Sequence, residues 1–250
     1  MIAKLIVRGL LAGLLAGLLA AVFAYTAGEP HIDSAIALEE AAAASQPEAA
    51  HDHDHGEEPV VSRDGQRFGL FLALALYGTA AGGLFALAFA ALRGRAGPRS
   101  EPVLALSLAG AAFVAVVLVP FLKYPANPPA VGDPETIGRR TVLYLVIVVV
   151  GLLAVAAAGA AYRLAANGPA PARWLAGGAG FLVPAGAALA LMPTVDEVPA
   201  GFPATLLWDF RIASLGTQVV LWAAVGALYA LATHRATRPA SRPATAATPA

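Results

Sequence analysis

Cysteine is absent from this 250-residue chain, and charge is scarce. Without cysteine the chain has no disulfides, no thiolate metal ligands and no cysteine nucleophile. Charged residues make up 13% of the sequence, about half the share of an ordinary soluble domain. The formal net charge is zero, so the bulk charge gives no indication of nucleic-acid binding.

Short catalytic signatures are also missing from the sequence. There is no G-x-x-x-x-G-K-[ST] phosphate-binding loop, no H-E-x-x-H zinc motif and no G-x-S-x-G nucleophile motif. No nucleophile and base stand in a recognisable arrangement, so we expect that the chain is not an enzyme.

Long apolar runs are what the chain has instead, with 58% hydrophobic residues and a mean hydropathy of +0.70. A helix needs about 20 apolar residues to cross about 30 Å of hydrocarbon. In lipid each segment must satisfy its own backbone polar groups, so such runs become helices. We therefore predict an all-α, polytopic transmembrane bundle of about six spans that forms a single domain over residues 1–234. The predicted spans are 5–27, 68–92, 103–122, 141–162, 174–192 and 211–233.

The first run could be read as a signal peptide, because basic residues precede it and small residues follow it. However, Gly9, Gly13 and Gly17 recur at every fourth position. Small residues at this spacing let helix backbones approach closely in membranes. The pattern favours a retained first span over a cleaved signal.

Basic and acidic residues are distributed unequally between the two predicted faces. With the N-terminus inside, the inner segments hold ten of the 16 basic residues but only Glu101 of the 16 acidic ones. The positive-inside rule therefore predicts six spans with both termini cytoplasmic, including a disordered tail over 235–250. The acidic outer face would concentrate cations, although solubility of the outer loops is an alternative reason for it.

The first outer segment, predicted as an extracytoplasmic loop over 28–67, contains the stretch AAHDHDHGEEP. In an extended chain its three histidines share one face and the two aspartates between them share the other. Imidazole and carboxylate suit borderline ions such as cobalt, nickel and zinc, so we predict metal capture here, with an inert linker as the alternative. The metal-binding candidates are His51, Asp52, His53, Asp54 and His55. Within the same segment, AIALEEAAAA favours a short helix outside the membrane.

The second outer loop, PFLKYPANPPAVGDPETIGRRT, contains five prolines, which exclude a continuous helix. Asp133 before Pro134 predicts an N-cap with proline at the first helical position, so the fourth helix should begin there. Glu135 and Arg139 are then four residues apart on one face and can form an ion pair.

The third outer loop, MPTVDEVPAGFPATLLWDFR, places Asp196 and Glu197 between two prolines as further metal-binding candidates. Pro203 is expected to begin the last helix. Polar residues at steps of three or four along that helix would line either a water-filled path or a helix–helix contact. This stripe comprises Arg211, Ser214, Gln218 and Trp222. The candidate path and loop residues are Asn127, Asp133, Asp209, Arg211 and Gln218.

The second and third loops, continued as far as DFRIASLGTQ, strongly resemble the CbtA family of predicted bacterial cobalt transporter subunits. RGLLAGLLAGLLA and EPHIDSAIALEEA are similar to that family's N-terminal region, and the resemblance covers residues 5–233. It implies an integral membrane protein linked to cobalt supply for cobalamin synthesis, with a small, single-span, histidine-containing partner subunit. The family is often described with five spans, which stand as the alternative to six.

Together these patterns predict a membrane subunit that moves a divalent transition metal, with Co²⁺ as the expected cargo, into the cell across the bacterial inner membrane. We expect no permanently bound cofactor and no nucleic-acid partner. The expected partners are the lipid bilayer, the divalent metal ion and the small subunit. Nickel or zinc could replace cobalt. The alternative function is a non-transporting membrane scaffold or an extracytoplasmic metal sensor.

Overall fold

The structure is a computed structural model that describes residues 2–44 and 61–237. Throughout these residues the regular structure is helical, and six continuous helical segments are long and apolar enough to cross a membrane. The predicted fold class, an all-α bundle of six spans, is confirmed. The helices are α1 (Ile2–Phe23), α2 (Glu29–Ala44), α3 (Arg63–Leu92), α4 (Glu101–Phe113), α5 (Val119–Lys123), α6 (Ile137–Leu164), α7 (Ala170–Leu191) and α8 (Ala204–Thr237).

Two of the six segments are pairs of α-helices joined by a π-helical turn. Ala24–Gly28 joins α1 to α2, and Val114–Leu118 joins α4 to α5. Each predicted apolar run lies within one of the six segments, except that Met192 falls one residue past the end of α7. Single π-helical turns inside α-helices are rare and often lie at functional positions.

The outer segment 28–67 differs from a loop at both of its ends. The predicted helix at AIALEEAAAA forms, but it is part of the longer helix α2. Helix α2 continues the first span without a break, and no proline or turn glycine after Pro30 ends it earlier. At the other end, α3 begins at Arg63, with the Ser62 hydroxyl accepting a hydrogen bond from the Gly65 N–H. Residues 45–60 lie outside the described residues. At the C-terminus α8 extends to Thr237, into the predicted tail, and residues 238–250 are likewise not described.

Helices α1 and α3 pack antiparallel through glycine. An ideal Cβ at Gly13 would lie 2.1 Å from the Gly78 carbonyl oxygen, and one at Gly9 would lie 2.3 Å from the Gly82 carbonyl oxygen. Only a residue without a side chain permits this approach. The close helix contact predicted from the four-residue glycine spacing is confirmed, and its partner is a second pair at the same spacing, Gly78 and Gly82.

The buried apolar residues form two clusters. The larger joins α1, α3, α4 and α8 around Tyr229, whose ring meets those of Phe85 and Phe89 edge-on at centroid distances of 5.2 Å and 4.9 Å. The smaller joins α5, α6 and α7 around Ile147. Four helices therefore surround one core, and the α6–α7 hairpin packs beside it against the second π-helical turn.

An ion-pair cluster fixes α2 to the start of α3 at the end of the bundle that the charge distribution predicts to be the outer one. The Arg63 guanidinium contacts the carboxylate of Asp33 and lies 2.7 Å from that of Glu29. The Arg67 guanidinium lies 3.4 Å from the Glu29 carboxylate and 3.2 Å from the Asp33 carboxylate. Glu29 is 6% exposed, and its charge is matched by both guanidinium groups. Hydrogen bonds from Arg63 and attraction to both arginines lower the pKa of Asp33 below its usual range, against the opposing effect of burial.

Candidate functional site

The second and third outer loops meet over the ends of α5, α6 and α7. Tyr124 donates its hydroxyl hydrogen to the Pro193 carbonyl at 2.7 Å, and the Lys123 ammonium donates to the Leu189 carbonyl at 2.9 Å. These contacts join residues that are more than sixty positions apart in the chain. The loops therefore form one layer at the outer end of the bundle.

Asp133 begins the helical structure that leads into α6. Its carboxylate accepts a hydrogen bond from the Glu135 N–H at 2.9 Å, and Pro134 occupies the first position of the short 3₁₀ turn Pro134–Thr136. The predicted N-cap is therefore confirmed. The predicted ion pair between Glu135 and Arg139 was wrong: within the described residues no ion pair joins these two side chains, and neighbouring Arg140 pairs with Glu197 instead.

Glu197 is the acceptor that holds the two loops together. It accepts hydrogen bonds from the Thr136 hydroxyl at 2.6 Å and from the Asp133 N–H at 2.9 Å, and Arg140 Nε lies 3.4 Å from its carboxylate. The Thr136 hydrogen bond, then the Asp133 N–H, and then the charges of Arg140 and Arg139 lower the pKa of Glu197, while burial opposes them. Its carboxylate is therefore already engaged within the protein.

An outer cavity of about 580 Å³ opens between these loops and the outer ends of α6 and α8. Four of the predicted residues line it: Asn127, Asp196, Glu197 and Arg211. The Arg211 guanidinium donates to Asn127 Oδ1 at 2.9 Å and to the Ala126 carbonyl at 3.3 Å. Asp196 is exposed, and it lies close enough to Arg211 to interact with its charge. Asp196 is thus the cavity carboxylate that remains accessible.

A second cavity of about 280 Å³ lies beneath the outer one, and both share Tyr124, Pro125 and Tyr144 as walls. Gln218 and Ser214 of α8, Tyr77 of α3 and two valines of the second π-helical turn line it, so it lies between the two helix clusters. Gln218 is about two helical turns, roughly 10 Å, further along α8 than Arg211. Its Oε1 is buried without a hydrogen-bond partner in the described residues.

Other predicted site residues lie elsewhere. Asp209 is exposed and lines neither cavity, and Asp133 contributes its backbone N–H and a capping carboxylate rather than a cavity ligand. Trp222, the last member of the predicted stripe, lines a separate apolar cavity against α4. His51, Asp52, His53, Asp54 and His55 lie outside the described residues. Within 2–44 and 61–237, no three histidine or acidic residues stand close enough to hold a metal ion.

The loops that form this layer are the ones whose sequences resemble a known family, and a family model matches residues 2–234. Its description is "Probable cobalt transporter subunit (CbtA)". The chain belongs to this family. Family membership and the six long apolar helices make it a multi-pass membrane protein and a subunit of a transport system. A search of curated proteins and a search of solved structures each found no match.

Sequence reasoning missed several residues that shape the site in this CbtA-family chain. Thr136 and Arg140 hold Glu197, and Tyr77 and Tyr144 line the second cavity. Arg140 could have been found as one of two adjacent arginines about two turns beyond the Asp133 cap. Tyr77 and Tyr144 carried a weaker signal, a polar hydroxyl within an otherwise apolar run.

Proposed function

We propose that this chain is the membrane-embedded subunit of a cobalt uptake system that supplies cobalamin synthesis. Both termini would lie in the cytoplasm, with the protein in the bacterial inner membrane. Besides family membership, the proposal rests chiefly on one observation: the second and third outer loops close over a cavity that shares Tyr124, Pro125 and Tyr144 as walls with a second cavity among the helices.

Metal entry would begin on the acidic outer surface, which concentrates cations by electrostatic focusing. Histidines and aspartates of the 51–55 stretch would capture the ion, as they suit borderline metals. Asp196, the accessible carboxylate of the outer cavity, would receive it next, while Glu197 keeps the loops in place. From there the ion would pass Tyr124 and Tyr144 toward Gln218. Weakly held, exchangeable ligands suit conduction, since a tightly bound ion does not leave.

The decisive experiment is uptake of labelled Co²⁺ by cells that express the chain alone or with a small, single-span, histidine-containing subunit. Uptake should exceed that of empty-vector cells, and excess Ni²⁺ or Zn²⁺ should compete less well than unlabelled Co²⁺. If Ni²⁺ or Zn²⁺ competed better than unlabelled Co²⁺, that metal would be the transported ion. Absence of uptake in both cell types, with cobalt binding retained by the purified protein, would favour a metal sensor or scaffold.

Asp196→Asn tests the proposed role of the outer cavity. It removes the accessible charge with little change in volume, so the initial rate of Co²⁺ uptake should fall by about fivefold or more. Asp64→Asn is the matched control, because this 95% exposed carboxylate lies at the outer end of α3, away from both cavities. Equal rates for the two variants would contradict the proposed entry route.

A further inference from the structure

Three arginines surround a cavity at the end of the bundle opposite the outer loops. The cavity measures about 610 Å³ and lies between the turn that follows α3 and the end of α6. Arg95 and Arg99 come from the turn and Arg163 from the last turn of α6, and all three are exposed. Two segments distant in the sequence therefore direct positive charge toward one concave surface.

The turn has a defined conformation. Gly94 and Gly97 adopt φ values of 73° and 82°, in the left-handed region that other residues rarely enter. The N–H groups of Arg95 and Ala96 both donate to the Leu92 carbonyl. This folds the chain back on itself within six residues of the end of α3, so that Arg95 and Arg99 border the same cavity.

No acidic side chain in the described residues neutralises these three arginines. Glu101, the single acid in the inner segments, pairs with Arg93 and not with the cavity. Arg95 donates one hydrogen bond to a neutral acceptor, the Ala91 carbonyl, at 3.2 Å. Three guanidinium groups with free donors and no counter-charge favour an anion with several oxygens, and phosphate matches the planar donor geometry of arginine best.

The aromatic residues beside the cavity place it near the membrane surface. Tyr162 precedes Arg163, packs against Trp174 with a ring-centroid distance of 5.1 Å, and lies under the Arg173 guanidinium at 4.5 Å. Trp174 is 70% exposed. Tyrosine and tryptophan gather at the level of lipid headgroups, where their rings are half in hydrocarbon and half in water. The cavity is therefore at the depth of the headgroup phosphates.

We propose that this cavity, bordered by Arg95, Arg99 and Arg163, binds a phosphate group on the face opposite the outer loops. Two sources carry that chemistry: the headgroup of an anionic phospholipid, and a soluble phosphate compound. Basic pockets between membrane helices on the cytoplasmic side commonly take lipid headgroups, and the aromatic pair favours the lipid here. The proposal is independent of which metal, if any, the protein transports.

The test uses the purified full-length chain and the double variant Arg99→Gln/Arg163→Gln. Nanodiscs of phosphatidylcholine with a minor fraction of phosphatidylglycerol provide the lipid arm, with co-purifying lipids counted by native mass spectrometry. Titration with inorganic phosphate provides the soluble arm. The wild type should retain phosphatidylglycerol over phosphatidylcholine, and the double variant should reduce that retention about tenfold or more. Raised salt should weaken the wild-type interaction.

Arg173→Gln is the matched control, because it removes a positive charge from the same end without touching the cavity. It should retain phosphatidylglycerol as the wild type does. Phosphate binding without lipid preference would assign the site to a soluble compound and still support it. Retention unchanged in the double variant, or reduced equally by Arg173→Gln, would overturn the proposal. Melting temperatures of all three proteins would show that loss of folding is not the cause.

Discussion

At the scale of individual residues, Glu197 is bound by three different groups in the loop layer at the outer end. A threonine hydroxyl, a backbone N–H and a guanidinium converge on its carboxylate, and they connect the loop after α7 to the start of α6. These contacts favour the charged form, which is why the pKa of Glu197 lies below its usual range. The same contacts make it a loop-fixing residue rather than a free metal ligand.

The pH dependence of stability follows from that shift. A carboxyl group whose pKa is lower in the folded protein than in the unfolded chain stabilises the fold fully above its ordinary pKa of about 4.3. This stabilisation disappears as the pH falls through the lowered pKa of the folded state. Glu197→Gln should therefore lower the melting temperature at pH 7 and flatten its decline between pH 5 and pH 3, because the neutral amide cannot lose a charge. Melting curves of purified protein across this range measure the effect.

Glu135→Gln is the control for this measurement, since it removes an exposed carboxylate two residues from the Asp133 cap and leaves the partners of Glu197 in place. If the melting temperature of Glu197→Gln fell between pH 5 and pH 3 as steeply as that of the wild type, the Glu197 carboxylate would not be the source of this stability.

At the scale of elements, the contact between α1 and α3 depends on glycine. The two helices run antiparallel, and each places glycines against the other's carbonyl oxygens. Lipid tails are as apolar as leucine, so close packing and not the hydrophobic effect holds such helices together. A single added methyl group separates the backbones, because both surfaces are backbone atoms that cannot rotate away.

Gly78→Ala should destabilise the protein by about 2 kcal/mol or more, which is within the range of overpacked cores, since its Cβ would lie 2.4 Å from the Gly13 carbonyl oxygen. Gly69→Ala on the same helix is the control, because nothing lies within 4 Å of a Cβ there. Melting temperature and folded yield compare the two. If Gly69→Ala lowered the melting temperature as much as Gly78→Ala, close packing of α1 against α3 would not explain the effect.

At the scale of the whole molecule, the unequal distribution of charge gives the bundle two different ends. One end holds the loop layer, the outer cavity and the Glu29–Arg63 ion pair; the other holds the three-arginine cavity and Tyr162–Trp174. The inner segments carry most of the basic residues and a single acid. Because positively charged segments are retained in the cytoplasm, the loop layer should face outward.

Single-cysteine labelling tests this orientation directly, since the chain has no cysteine to remove. Ser62→Cys and Ala200→Cys, both exposed at the loop-layer end, should react with a membrane-impermeant thiol reagent in intact cells. Ser100→Cys and Ala166→Cys, exposed at the arginine end, should react only after lysis. The reverse pattern, or labelling of all four in intact cells, would contradict the topology and the proposed direction of metal entry.

Much of this architecture was predictable from the sequence. Each of the six apolar runs forms one continuous helical segment, because each run must satisfy its own backbone hydrogen bonds in lipid. Asp133–Pro134 marked a helix start, and the four-residue spacing of Gly9, Gly13 and Gly17 marked a close helix contact. Each of these outcomes depends on residues near one another in the chain, so local chemistry determines them.

Tertiary structure decided what local patterns leave open. Glu135 and Arg139 had the correct spacing to pair, yet Arg140 pairs with Glu197 from a loop some sixty residues later. Asp196 was predicted as a metal-binding residue and Asp209 as a path or loop residue, and of the two only Asp196 lines the outer cavity. A charged side chain pairs with whichever partner the folded chain brings nearest, and a cavity exists only between segments that have already packed. The sequence alone therefore determined which segments are helical and where several begin, whereas the assembled bundle determined which polar groups meet.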